Sequence, residues 1–358
     1  MTPDIFMVAG EVSGDKLGGT LVESILKKQK DLELIGIGGP EMRAHGLFPI
    51  IPMEELQVMG FIDVIKHLPR LFKIFRRTVQ TILDLNPKVV VTIDYPGFNL
   101  RLAKKLRKKG YQGKICHVVC PSVWAWGKKR IQTLADNYDL LLTLLPFEKP
   151  LFGKTSLRVE YIGHPLTQKI TYETSPEENL IAIFPGSRSH EIERNLPCFL
   201  RLIPKLPPQM KYIISVSQEK YRPLIEKLAG SQIPLLTPVE MNLRKPMLAL
   251  SKSGTMTLEL ALKGIPTVVI YKISPLDIFL AKYIFRINLR YYALPNLILK
   301  HTLFPELIGP DLNDNELFES TTSLLEPQNL RKCHLECKKL HDLLRSPHDP
   351  ASLILSLL

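Results

Sequence analysis

The sequence predicts an α/β protein with two Rossmann-like doubly wound domains facing one cleft. Three observations carry that expectation: short apolar, β-rich runs alternate with helical patterns, the alternation breaks once at a polar stretch, and then it restarts. In the first half the runs are residues 5–9, 34–37, 89–93, 115–119, 140–145 and 159–162. Strands so continuously apolar are parallel strands covered by helices on both faces. Residues 166–179, with Glu173, Pro176, Glu177 and Glu178, lack apolar periodicity and read as a linker. Runs at 180–184, 212–216, 235–236, 247–250 and 267–270 then rebuild the pattern. The expected division is therefore a domain over 1–165, a second over 180–316 and a helical tail over 317–358.

A chain of 358 residues is long for one domain and fits two cores. Its 45% apolar and 23% charged residues, with mean hydropathy +0.04, match globular proteins and exclude disordered or fibrous classes. Five scattered cysteines, an odd number, speak against a disulfide framework and for a reducing, cytosolic compartment. The start, MTPDIFMVAGEVSGD, reads as a first strand and its loop rather than an export signal. No apolar run reaches the ~18 residues of a spanning helix. A net charge of +12 and a pI near 9.4 call for an anionic partner: nucleic acid, a phosphorylated small molecule or an anionic membrane surface.

Ligands of doubly wound sheets bind at the C-terminal ends of strands, so motifs there carry the chemistry. After the first strand comes Gly10-Glu11-Val12-Ser13-Gly14-Asp15. Its small residues allow close backbone approach, but Glu11 and Asp15 would repel a phosphate, which favours sugar hydroxyls over a pyrophosphate. An ordinary capped turn is the alternative. Neither this loop nor Gly36-Ile37-Gly38-Gly39 is the dinucleotide fingerprint. Asp94 ends an apolar strand and opens Tyr95-Pro96-Gly97-Phe98-Asn99, a position suited to taking a proton from a hydroxyl, or to capping the next helix. The run from Pro121 to Arg130 holds both tryptophans, Trp124 and Trp126, beside Lys128, Lys129 and Arg130. That pairing suits an amphipathic phosphate-bearing ligand or single-stranded nucleic acid; core packing is the alternative for one of the two rings.

In the second half, Phe184-Pro185-Gly186-Ser187-Arg188 leads from a strand into a helix, combining amides, a helix N-terminus and a guanidinium. Ser253-Gly254-Thr255-Met256-Thr257-Leu258-Glu259 repeats the arrangement, with Glu259 placed to accept both hydroxyls of a ribose. Two such loops in one domain favour a nucleoside diphosphate. The lack of a D-x-D motif argues against a metal-bridged diphosphate, and Cys333, His334, Cys337 and His341 lack paired-ligand turns, so no metal is expected.

Residues 58–75, VMGFIDVIKHLPRLFKIF, mix apolar residues with Lys66, Arg70 and Lys73 and run on into Arg76-Arg77. A stretch this apolar and basic suits a membrane interface, with Phe61, Ile65, Leu68, Phe72 and Phe75 as anchors; a buried helical hairpin is the alternative. Lys282, Arg286 and Arg290 recur every four residues and give a second positive face.

Taken in order, GEVSGD, TIDYPGFN, PSVWAW, LPFEK, IGHP, FPGSR with HEIE, SGTMTLE and ALPN resemble the lipid-A-disaccharide synthases, from about residue 7 to about 310. The resemblance implies a GT-B type hexosyltransferase that joins UDP-2,3-diacylglucosamine to 2,3-diacylglucosamine 1-phosphate with inversion, giving a β-1,6 disaccharide and UDP. It implies a peripheral enzyme on the inner face of the cytoplasmic membrane, with acylated glucosamine substrates, an anionic membrane surface as partner, no nucleic acid and no cofactor beyond the UDP-sugar substrate. By the resemblance Asp94 is the general base and Glu11, Ser13 and Asp15 belong to the acceptor side, to which the reading of the residues adds Trp124 and Trp126. The resemblance places Arg188, Glu259 and Asn296 on the UDP side, Asn296 through the resemblance alone; the loop chemistry adds Ser187, Ser253, Gly254 and Thr255. The rival readings are a UDP-N-acetylglucosamine 2-epimerase, a transferase with a soluble acceptor, and a basic nucleic-acid-binding protein.

Overall fold

A computed structural model describes residues 2–56, 61–125, 127, 129–172, 176–274, 289–310, 312–346 and 348–358, with backbone only for 61–68. The chain forms two compact units, one of residues 1–165 with 345–358, the other of residues 166–344.

The first unit runs β1 (Ile5–Ala9), α1 (Val12–Lys28), β2 (Leu34–Gly38), α2 (Pro40–Ala44), β3 (Phe48–Pro52), α3 (Phe61–Leu85), β4 (Val89–Ile93), α4 (Pro96–Lys108), β5 (Lys114–Val118), α5 (Lys129–Asn137), β6 (Leu140–Thr143) and β7 (Arg158–Tyr161). The seven strands are all parallel, in the order β3-β2-β1-β4-β5-β6-β7. Alternation of side chains across the pleat sends Phe6, Val8 and Val90 into one core and Ile5, Met7, Ala9, Val89 and Val91 into the other. That is why these strands carry apolar residues on both faces, with Thr92 a buried polar exception in β4.

The second unit runs α6 (Leu166–Lys169), β8 (Glu177–Phe184), α7 (Ser189–Leu202), β9 (Lys211–Ser215), α8 (Arg222–Ala229), β10 (Leu235–Leu236), α9 (Pro238–Asn242), β11 (Pro246–Lys252), α10 (Thr255–Leu262), β12 (Thr267–Lys272), α11 (Leu294–Leu299), β13 (Glu306–Gly309), α12 (Asp314–Leu325) and α13 (Pro327–Leu343). Its parallel sheet has the order β10-β9-β8-β11-β12-β13.

Three features depart from the sequence pattern. Edge strands β3 and β13 were not anticipated; β3 carries Pro49 and Pro52, residues that an edge tolerates and an interior strand does not. The stretch read as a linker contains α6 and the start of β8, where the Glu177 carboxylate accepts from the Arg244 guanidinium (2.9 Å) and the Lys245 amide (2.9 Å). The C-terminal helices divide: α13 belongs to the second unit, while α14 (Pro350–Leu355) puts Ala351 and Ile354 into the first unit's core. Asp349 caps α14 through the Ala351 and Ser352 amides and pairs with Lys28 at 3.1 Å. Among the described residues no helix is long and apolar enough to cross a membrane.

Candidate functional site

In each sheet the strand order reverses at one point, between β1 and β4 in the first unit and between β8 and β11 in the second. Loops leaving the two strands at such a point diverge and open a crevice. The loops of Glu11, Asp94, Ser187 and Gly254 leave these four strands, while the run from Pro121 to Arg130 follows β5.

In the first unit, Ala9 pairs with Ile93 at the strand ends, so Gly10-Glu11 and Asp94-Tyr95 leave side by side. Asp94 and Tyr95 both adopt left-handed backbone, with φ of 48° each. Non-glycine residues held there cost about 1–3 kcal/mol each, and such strain concentrates at functional sites. The kink is held on all sides: the Asp94 amide donates to the Val118 carbonyl (2.9 Å), while the Asn99 side-chain amide donates to the carbonyls of Asp94 (2.7 Å) and Ile93 (3.3 Å). Tyr95 stacks on Phe98 and lies against Gly10 so closely that a side chain at Gly10 would collide with its ring.

Burial raises the Asp94 pKa, opposed by a hydrogen bond from the Tyr95 amide. Glu11 is raised too, first by burial and then by the charge of Asp94. A carboxyl whose charged form is disfavoured is a stronger proton acceptor than an ordinary aspartate. Ser13 lies exposed in the first turn of α1.

Asp15 has a different task from the one expected. It is only 2% exposed, and its carboxylate accepts the amides of Gly39 (2.8 Å), Glu41 (3.0 Å) and Met42 (3.1 Å), fixing the start of α2. Trp124 packs edge-on against Phe147, with ring centroids 5.7 Å apart. Beside it Glu148, 3% exposed, accepts the Leu145 amide at 3.0 Å. Trp126 lies outside the described residues.

In the second unit, the loop after β8 turns at Gly186, whose φ of +140° and proximity to the Glu191 side chain both require glycine. Glu191, a buried acid in the first turn of α7, reaches back to the loop. It accepts the Ser187 amide at 2.9 Å and lies 3.1 Å from the Lys252 ammonium and 3.8 Å from the Arg188 guanidinium. Burial works against its charge, but the Ser187 amide, Lys252 and Arg188 outweigh it and hold the pKa below the ordinary value. Asn195 ties this loop to the sheet, donating to the Pro185 and Glu191 carbonyls and accepting the Lys272 amide.

After β11, Ser253, Gly254 and Thr255 lead into α10, and Thr257 closes the turn through the Gly254 carbonyl at 2.7 Å. Gly186, Ser187, Lys252, Gly254 and Thr255 line one cavity of about 150 Å³. Phe184, Ser215, Ser217 and Met256 are shared with a second cavity of about 220 Å³ whose wall includes Glu259. Burial raises the Glu259 pKa, partly offset by Lys263. Two loops rich in amides, with a carboxyl in the wall of the adjoining cavity, offer the kinds of group that phosphates and hydroxyls bind.

Asn296 does not join this wall. Fully buried, it donates to the Phe304 carbonyl (2.7 Å) and the Glu306 carboxylate (2.6 Å), and accepts the amides of Leu303 (2.8 Å) and Phe304 (2.9 Å). Its hydrogen-bonding capacity is spent on the chain itself. Glu191, Lys252 and Ser217, by contrast, line or hold the cavity and were not assigned a role by the sequence pattern. The return from Glu191 to Ser187 spans only four residues, a local signal that could have been found in the sequence, whereas the Lys252 contact spans 61 positions (252 less 191).

Of the proposed membrane anchors, Phe72 is 55% exposed and carries the Arg76 guanidinium 4.3 Å above its ring. Phe75 instead turns inward and meets Phe98 edge-on at 5.4 Å. The side chains of Phe61, Ile65 and Leu68, and residues Lys282 and Arg286, lie outside what is described.

A family model for lipid-A-disaccharide synthetase matches residues 5–352. Lipid-A-disaccharide synthase of Chlamydia pneumoniae is 42% identical over 94% of this chain and 59% of its own length. That of Pseudoalteromonas translucida is 35% identical over 91% of this chain and 89% of its own. The chain thus spans a little over half the length of the chlamydial relatives it matches. Among solved structures, the calicheamicin glycosyltransferase CalG4 superposes with a TM-score of 0.61 at 12% identity, covering 100% of this chain and 99% of its own, a likeness of fold alone. With two doubly wound units of GT-B type and a match across nearly its whole length, the chain belongs to the lipid-A-disaccharide synthetase family.

Proposed function

We propose that the chain is an inverting glycosyltransferase that moves a diacylated glucosamine from UDP onto 2,3-diacylglucosamine 1-phosphate. The observation that carries this reading is the cavity shared by the Ser187 and Gly254 loops with Glu259 in the adjoining wall, a seat for UDP in a chain of this family. The first unit takes the acceptor, with Glu11 and Ser13 at its switch point and Trp124 on the loop after β5, the strand next to β4.

In the reaction Asp94 accepts the proton of the acceptor 6-hydroxyl as its oxygen bonds to the anomeric carbon of the donor sugar. The bond from that carbon to the diphosphate breaks, and UDP leaves with the charge. Arg188 and the amides at Ser187 and Gly254 stabilise that charge by fixed electrostatics, which need no reorganisation during the reaction. Peripheral attachment to an anionic membrane surface through α3 supplies both lipid substrates. Phe72, exposed beneath the Arg76 guanidinium, supports that part of the reading.

The test is incubation with UDP-2,3-diacylglucosamine and 2,3-diacylglucosamine 1-phosphate, followed by mass analysis. A disaccharide monophosphate plus UDP is the expected result. UDP release without a disaccharide, or an epimerised sugar nucleotide, would overturn the reading.

A further inference from the structure

The loop expected to receive a diphosphate already contains an anion of its own. The Glu191 carboxylate accepts the Ser187 amide at 2.9 Å, stands 3.5 Å from the Ser187 hydroxyl, and pairs with Lys252 at 3.1 Å. Lys252 is a partly buried cation, with 17% of its side chain exposed. Its ammonium lies 4.6 Å from the centre of the Tyr271 ring and 3.9 Å from the point where a side chain on Gly254 would begin. It therefore reaches from the end of β11 over the second loop and, through Glu191, to the first. Arg188, the cation that sequence pattern emphasises, has 70% of its side chain exposed. Lys252 lines the 150 Å³ cavity, Arg188 does not, and Lys252 is the better sheltered of the two cations; shelter from water strengthens a charge's pull on a ligand.

We propose that Lys252 contacts the diphosphate of the bound nucleotide and that Glu191 is an internal competitor for it, a carboxylate that an incoming phosphate displaces from the ammonium. The inference rests on the reading of this cavity as a UDP seat. Glu191 shapes the loop and keeps the partly buried ammonium paired. The diphosphate, carrying more charge than one carboxylate, takes over the Lys252 contact and reaches the amides of the second loop as well. Affinity for the phosphates is thus a difference between two anions at one cation, and either variant should move it in a stated direction.

Calorimetric titration of the full chain with UDP and, separately, with uridine tests this. Lys252→Met should weaken UDP binding by about tenfold or more and leave uridine binding unchanged, while Lys252→Arg should stay within about threefold of the parent for UDP. Glu191→Gln keeps an acceptor for the Ser187 amide but removes the competing charge, so UDP should bind about threefold to tenfold more tightly. UDP affinity in Lys252→Met within twofold of the parent would overturn the proposal. So would Glu191→Gln weakening UDP as much as Lys252→Met does. A parent chain that does not bind UDP overturns the UDP reading itself, which separates the two failures. Unchanged uridine binding in Lys252→Met shows that this variant is folded.

Discussion

The side-chain amide of Asn99 donates to the backbone carbonyl of Asp94 at 2.7 Å, across the two left-handed residues that turn β4 into α4. Asn99 is fully buried, and its own carbonyl receives the Tyr138 hydroxyl at 2.9 Å, so the kink is anchored to α4 and to the segment behind it. Asn99→Ala strips the donor from two carbonyls, those of Asp94 and Ile93. Leaving such groups unpaired costs about 1–3 kcal/mol. Urea denaturation should show a loss of that order, with UDP affinity of the folded protein unchanged.

Asp94→Asn keeps the shape of the loop and removes the proton acceptor. Turnover should fall about 10²–10⁴-fold while UDP affinity persists. Because burial raises the Asp94 pKa, the folded state binds its proton more tightly than the unfolded state does. The stability linked to that proton is present at low pH and is lost as pH rises through the folded pKa. At neutral pH the asparagine variant should melt no lower than the parent, and the acid limb of the parent's turnover should lie above the ordinary aspartate value. A variant that loses thermal stability but keeps turnover would make Asp94 a structural residue.

Glu259 stands in the wall of the cavity that adjoins the two loops, where it is placed to accept ribose hydroxyls. Glu259→Ala should weaken UDP by about 1.5–3 kcal/mol, the worth of hydrogen bonds to a charged group. The same variant should bind inorganic diphosphate like the parent. Calorimetry with both ligands checks the assignment, and a parent-like UDP affinity would remove Glu259 from it.

Phe72 and Phe75 sit three residues apart on α3 with opposite surroundings, one exposed under Arg76 and the other against Phe98. Phe72→Ser should lower co-sedimentation with anionic vesicles while leaving the melting temperature near that of the parent. Phe75→Ser should instead destabilise, by the few kcal/mol typical of opening a gap behind a packed ring. Vesicle binding unchanged in Phe72→Ser would take this part of α3 off the membrane-facing surface.

Apolar runs in the sheet interiors were legible because both faces of each strand are covered, which leaves few polar positions to blur the pattern. Val89–Ile93 and Ile5–Ala9 match residue for residue. Side-chain tasks were less legible, since a polar residue in a loop looks the same whether it binds a ligand or the backbone. Asp15 was read as an acceptor contact, but its three donors lie 24 to 27 residues away and only the folded chain brings them together. Asn296 likewise spends itself on carbonyl, carboxylate and amide groups seven to ten residues on. Phe75 was read as an anchor because a basic and apolar helix does not disclose which of its faces turns inward.

Glu148 gives the sharpest dependence on pH. Burial pushes its carboxyl up to about 7, against the opposing pull of hydrogen bonds from the Leu145 amide, the Trp124 side chain and the Leu144 backbone. In the unfolded chain the same group titrates near its ordinary value of 4.5. Between those two values the folded state holds a proton that the unfolded state has released, so the unfolding free energy falls as pH rises. The contribution is complete below about 4.5, is lost through about 7, and is flat above that. With about 1.4 kcal/mol for each pKa unit, the loss across the window is on the order of 3 kcal/mol. Glu148→Gln keeps an acceptor for the Leu145 amide and does not titrate. Urea denaturation of parent and variant from pH 4 to pH 8 should therefore give a difference that grows in the variant's favour as pH rises. A difference that stays constant with pH would mean that Glu148 is ionised throughout, with its charge held by the Trp124 and Leu145 donors.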